Sequence, residues 1–173
     1  LAFGLDITDS AIRLAKLRRA GDSLTLASFA RHPLERTVVQ NGTIVQVEKL
    51  RSALREAFTR VQGEKLHTRY VVASLPEPHA FIRIVQLPRL ARAEITEAIR
   101  WEVEANVPLP IADVYYDWEV SPVKSSGTDH LDILIAAVPR TVVDAYLGVL
   151  HDVGLKVVAL EIDALAIARS VIE

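Results

Sequence analysis

The chain has 173 residues, half of them hydrophobic and about a quarter charged, with a formal net charge of -2 and a pI near 6.2. That composition belongs to a globular protein of one domain or two small intimate ones, and nothing in its overall charge points to an electrostatic grip on nucleic acid or anionic lipid. Without cysteine there are no disulfides, thiolate metal sites or cysteine nucleophiles, and a reducing compartment fits.

No apolar run reaches the roughly 18 residues that span a bilayer, so no direct membrane insertion is expected. The most apolar run, Leu131 to Val138, is broken by Asp132. No charged-then-apolar leader opens the sequence. It begins at Leu1 and lacks methionine, so it is expected to be a piece of a longer protein.

The first thirty residues predict a meander of three strands: Leu1 to Ile7, Ile12 to Arg19 and Leu24 to Ala30, with turns at Thr8-Asp9-Ser10 and Gly21-Asp22. Asn41-Gly42 marks a further turn; with Thr43 it also matches a glycosylation sequon, but no secretory signal supports that use. Val47 to Val61 reads as a surface helix with Val47, Leu50, Leu54, Ala57 and Val61 on one face. Tyr70 to Leu75, bounded by Pro76 and Pro78, is a buried strand.

The remainder predicts strand Ala80–Leu87, helix Arg92–Asn106, strand Val114–Val120, a Lys124-Ser-Ser-Gly-Thr128 turn, strand Leu131–Val138, helix Thr141–Val153 and strand Lys156–Glu161. That β-α-β-β-α-β order is the ferredoxin-like arrangement. Thr141 with Asp144 resembles a capping box, Gly154 is placed to end its helix, and Asp163 should cap a last helix, Ala164 to Ile172. This last helix is apolar nearly all round and should need cover from more than one side. An inserted module between two ends of another creates a cleft, where ligands and partners bind.

Conventional catalytic motifs are missing: no GxxxxGK[ST], GxSxG, HExxH or GxGxxG occurs. His32, His67, His79, His130 and His151 lack metal-ligand spacing. Glu94, Glu97 and Glu104 lie on one helix face, which reads as solvated. Asp6-Ile-Thr-Asp-Ser10 is open to two readings: an ordinary hairpin turn, or a loop offering amides and hydroxyls to phosphate, with its carboxylate holding a metal-bound water. The core face of the second helix runs Ile95, Ile99, Val103, and Trp101 sits roughly 200° around from Ile99. A tryptophan there packs on the other module or receives a partner.

Several blocks resemble one family. Gly4-Leu-Asp-Ile-Thr-Asp-Ser-Ala-Ile12, Val72-Ala-Ser-Leu-Pro76, Phe81-Ile-Arg83 with Leu87-Pro88, Ala98-Ile-Arg-Trp-Glu102, Val107-Pro-Leu-Pro110 and Asp117-Trp118 follow the PilM family of actin-like type IV pilus assembly proteins. So do Ala136-Ala137, Tyr146-Leu147 and Gly154-Leu155. The resemblance runs from Gly4 to about Arg169; its opening motif is shared by many actin-like proteins, and the Ile-Arg-Trp-Glu block is the more specific.

The resemblance implies an α/β, actin-like (ribonuclease H-like) fold. Residues 1–78 with 162–173 would form half-domain 1A, and 79–161 an inserted ferredoxin-like βαββαβ subdomain 1C, as in the cell-division protein FtsA. It implies a non-catalytic cytoplasmic adaptor, held at the inner membrane through its partner. The groove between 1A and 1C would receive the short N-terminal tail of a PilN-like membrane protein, lined by Phe81, Arg83, Arg100, Trp101 and Glu104, and pilus motor components would be further partners. Asp6, Thr8, Asp9 and Ser10 correspond to a first phosphate motif of the ATP/Mg²⁺ site in a full-length parent. Here Thr8 replaces its glycine and Asp9 adds a charge that repels phosphate, so no nucleotide is expected on this chain. The alternatives are an actin-like or sugar-kinase-type ATPase fragment with nucleotide at the Asp6 hairpin, the cytoplasmic domain of a GspL-like type II secretion protein, or a ferredoxin-like binding module unrelated to pili.

Overall fold

The structure is a computed structural model and describes residues 2–88, 91–121 and 130–171. It falls into two compact units, Leu1–Pro78 with Asp144–Glu173, and His79–Val143.

In the first unit, β1 (Phe3–Ile7), β2 (Ala11–Ala20) and β3 (Ser23–Pro33) form the expected meander. Phe3, Leu5 and Ile7 alternate inward and are buried, while Asp6 points to the other face opposite Arg13 of β2. β4 (Val39–Gln40) and β5 (Thr43–Ile44) make a small hairpin around Asn41-Gly42. Asn41 has φ 49° and Gly42 φ 76°, the two positive angles a type I′ turn uses.

Helix α1 (Val47–Thr59) buries Leu50, Ala53, Leu54 and Ala57 and lies against β2 and β3. Phe58 at its end meets Phe3 edge-on, with ring centres 5.9 Å apart. β6 (Gln62–Gly63) closes one edge of the sheet, and β7 (Tyr70–Leu75) pairs parallel with β1.

The second unit begins at β8 (Phe81–Pro88), followed by α2 (Arg92–Asn106), β9 (Val114–Val120) and β10 (His130–Pro139). Its sheet has the order β8-β10-β9. Ile95, Ile99 and Val103 of α2 are buried against Val85, Leu87, Ile133 and Ile135, as the helical periodicity predicts. Glu94 reaches back to accept from the Ala91 N–H at 2.9 Å, fixing the start of α2. The Lys124-Ser-Ser-Gly-Thr128 turn lies outside the described residues.

The chain then continues into α3 (Arg140–Asp152), β11 (Lys156–Ile162) and α4 (Asp163–Val171). Here the expected ferredoxin-like βαββαβ module over 79–161 is corrected. β11 pairs parallel with β7, from Lys156 opposite Tyr70 to Ile162 opposite Leu75, giving a six-stranded sheet of order β11-β7-β1-β2-β3-β6. The second unit is therefore β-α-β-β and ends at Val143, inside α3. The physical reason is that β7 buries Val71, Ala73 and Leu75 and needs a strand on each side. Strand order along the chain does not record which sheet a strand joins.

Gly154 ends α3 as expected: its N–H donates to the His151 carbonyl at 2.8 Å, and Leu155 N–H to Leu150 at 3.0 Å. Asp163 caps α4 through the Ala164 N–H at 2.7 Å and also accepts from the Glu77 N–H at 3.2 Å. α4 lies against β7 and β11, and Arg169 pairs with Glu161 at 2.7 Å. The expected cover from more than one side is not what this chain provides, since Ile167 and Val171 are exposed. Among the described residues, no helix is long and apolar enough to cross a membrane.

Candidate functional site

The Asp6–Ser10 loop joins β1 to β2, so the β-hairpin register decides what faces it. Register places Arg13 opposite Asp6, and the guanidinium donates to one carboxylate oxygen at 2.9 Å. The Ser74 hydroxyl of β7 donates to the other at 2.7 Å. Thr8 is occupied by Ala11, whose carbonyl accepts from its N–H at 2.9 Å and its hydroxyl at 3.1 Å. The Ser10 carbonyl accepts from the Leu34 N–H at 2.8 Å. Thr8 is not among the residues at positive φ, so the strain that a glycine would relieve does not arise in this loop.

Asp9 turns toward its own chain. Its carboxylate accepts the N–H groups of Asn41 at 2.7 Å and Gly42 at 3.0 Å, the two central amides of the β4–β5 turn. The Gly42 carbonyl in turn accepts from the buried Tyr146 hydroxyl of α3 at 2.9 Å. Burial, with the charges of Asp9, Asp6 and Asp163 added to it, pushes the Tyr146 phenol far above its ordinary range and keeps it a donor. The polar groups of the four loop residues are directed at Arg13, Ser74, Ala11, Leu34 and the Asn41-Gly42 turn. Arg13 was legible from the short hairpin, which sets residues 6 and 13 opposite one another. Asn41, Gly42 and Tyr146 left no local signal.

The second unit carries a cleft of about 270 Å³ between β8 and the C-terminal half of α2. Phe81 and Arg83 line it, with Glu102, Val103, Asn106 and Ile135. β8 is an edge strand, paired with β10 alone among the described residues, so its other edge offers unpaired backbone groups. Among the described residues the Arg83 guanidinium has no ion-pair partner. Glu102 and Asn106, one helical turn apart, are tied by a hydrogen bond at 2.9 Å.

The remaining predicted partner residues lie elsewhere on α2. Arg100 and Glu104 pair across one turn at 3.4 Å on its solvent side. Trp101 is 68% exposed and does not line the cleft. At 100° per residue, the faces carrying Glu102 and Asn106 and those carrying Trp101 and Glu104 are different parts of one helix surface. Glu102 and Asn106 were missed because polar residues at a helix end read as ordinary solvation.

Among the described residues no group of histidine and acidic side chains is arranged to hold a metal. Among the described residues, the large mixed sheet and four α-helices define a mixed α/β protein. The family described as type IV pilus assembly protein PilM matches residues 4–173, and the chain belongs to it.

Among solved structures, the chain is similar to a PilM–PilN type IV pilus biogenesis complex. The TM-score is 0.80 at 27% identity, covering 95% of this chain and 48% of that one. It also shares its fold with the cytoplasmic domain of EpsL, an inner-membrane component of the type II secretion system of Vibrio cholerae. There the TM-score is 0.54 at 16% identity, covering 95% and 58% of the two chains. Type II secretion system protein L of Xanthomonas campestris pv. campestris is 35% identical over 75 residues, 43% of this chain and 20% of that protein. The chain thus spans about half the length of the matched chain of the pilus complex, and the 75-residue match covers a fifth of the secretion protein.

Proposed function

We propose that this chain is an adaptor module whose task is to dock the short N-terminal tail of a PilN-like membrane protein on its second unit. The observation that carries the reading is α2: a tryptophan 68% exposed, beside an arginine–glutamate pair, on a helix that also walls a cleft along a free strand edge. Exposed tryptophan and arginine are the side chains that dominate binding energies. An extended tail can add main-chain hydrogen bonds along β8 and place alternate side chains in the cleft. Similarity to a PilM–PilN complex supports a PilN-like partner. In this reading the first unit is half-domain 1A of an actin-like fold and the second is the inserted subdomain, reduced to β-α-β-β. Similarity to protein L keeps a type II secretion platform as the second setting for the same adaptor role.

The Asp6–Ser10 loop is read here as a clasp rather than a nucleotide site. Support comes from Asp6 being held by Arg13 and Ser74, and from Asp9 facing two backbone amides of its own chain. These residues do not fit a magnesium–phosphate group as they stand, because the carboxylates and the Thr8 amide already have partners.

The deciding experiment titrates the chain with a synthetic peptide of the partner's N-terminal tail. Trp101→Ala should weaken binding by about 2 kcal/mol or more, roughly thirtyfold. Fold stability should change by less than about 1 kcal/mol, as for other exposed positions. A variant that unfolds, or that binds the tail as tightly as the parent, makes Trp101 structural and overturns the assignment.

A further inference from the structure

A second open cleft, of about 730 Å³, lies wholly within the first unit, at the ends of α1 and α3. Its volume is in the range of sites that take ligands of drug or short-peptide size. Phe58 and Leu66 line it half-buried and Leu155 lines it buried. Arg55, Lys65 and Arg69 also line it, and all three are exposed. None of these cations has an ion-pair partner among the described residues.

The two acids of the cleft are already neutralised within the chain. Glu64 accepts from Arg18 at 2.5 Å, and Asp152 is paired with Arg51. The cleft therefore presents an apolar surface with three uncompensated positive charges. Both helices turn their C-terminal ends to it, and the partial negative charge there disfavours a compact polyanion such as phosphate. Long arginine and lysine side chains meet carboxylates well clear of those carbonyls.

We propose that this cleft is a docking site for an acidic peptide segment of a partner protein, one in which carboxylates alternate with large apolar side chains. The apolar side chains would enter against Phe58, Leu66 and Leu155, and the carboxylates would meet Arg55, Lys65 and Arg69. The proposal is independent of the tail-docking reading, which concerns the second unit.

The test uses the full chain and three fluorescein-labelled hexapeptides, Glu-Leu-Asp-Phe-Glu-Leu, its Lys-for-acid counterpart and its Gln/Asn counterpart, followed by anisotropy. The acidic peptide should bind at least tenfold more tightly than either control, and more weakly as salt is raised. Arg55→Glu with Arg69→Glu should reduce that binding at least tenfold, whereas Trp101→Ala should leave it unchanged. Arg55→Gln with Arg69→Gln, which keeps length without charge, serves if the reversal fails to fold and should lose binding too. Equal binding of the three peptides, unchanged binding by the charge variants, or displacement by millimolar inorganic phosphate would overturn the proposal.

Discussion

Single residues in this protein act through the partner that the fold brings to them. Tyr146 is buried and donates to the Gly42 carbonyl, on the same turn whose amides hold Asp9. Tyr146→Phe should cost about 1 kcal/mol, since Gly42 is buried and its carbonyl loses a donor. The pH dependence follows from the raised phenol, whose contribution is complete below the unfolded value of roughly 10. Above that pH the unfolded chain releases a proton that the folded chain retains, so stability falls as pH climbs toward the folded value. Denaturant unfolding should show an alkaline loss on the order of 1 kcal/mol per pH unit that Tyr146→Phe removes. A parallel decline in the variant would assign the loss to other groups.

Gly63 is a second residue whose role is steric. It sits at φ 84°, and a Cβ there would stand 2.3 Å from the Ala27 carbonyl oxygen. Backbone holds that position, because the Glu64 N–H donates to Ala27 at 2.9 Å and the Ser28 hydroxyl to Glu64 at 2.6 Å. Gly63→Ala combines an unfavourable φ with a clash against main chain, so a loss of about 2 kcal/mol or more is expected. A melting temperature equal to the parent's would show that the edge strand detaches without consequence.

At the scale of elements, α2 separates stability from recognition by its two faces. Ile99 is fully buried and Trp101, two residues on, is 68% exposed. Ile99→Ala removes methyl groups from the core shared with Val85 and Ile133, and should cost about 2–5 kcal/mol. Tail binding by the molecules that remain folded should be unchanged. If the two substitutions destabilised equally, the helix would be packed on both sides and its outer face would not be available to a partner. Most elements here were legible because their periodicities are strong. The bounds expected for α2 and β9 coincide with those observed, and α1, α3 and α4 differ by a residue or two at their ends.

For the whole molecule, the central question is what the ends of β1 and β7 do together. They bring Asp6 and Ser74 within hydrogen-bonding distance, and Arg13 from β2 completes the set. With that arrangement the chain should bind Mg²⁺–ATP more weakly than micromolar, the level worth about -8 kcal/mol. Calorimetry is the measurement, and a micromolar constant would mean that the Arg13 and Asn41-Gly42 contacts open at little cost. Chain order alone would place β11 in the second unit, since it follows α3, yet it completes the first unit's sheet beside β7, where Lys156 lies opposite Tyr70 and Ile162 opposite Leu75.

The sequence alone determined the type and approximate span of the longer strands and helices, the buried stripe of α2 and membership of the PilM family. These are properties of local periodicity, or of residue types in fixed order, and both are written along the chain. Tertiary structure alone decided that β11 pairs with β7, that Asp9 clasps the Asn41-Gly42 turn, and that Arg55, Lys65 and Arg69 share one cleft. The first two join residues distant in sequence, and the cleft forms where the 55–69 stretch meets 152–155; hydrogen-bond demand and burial choose such partners and no local pattern records the choice.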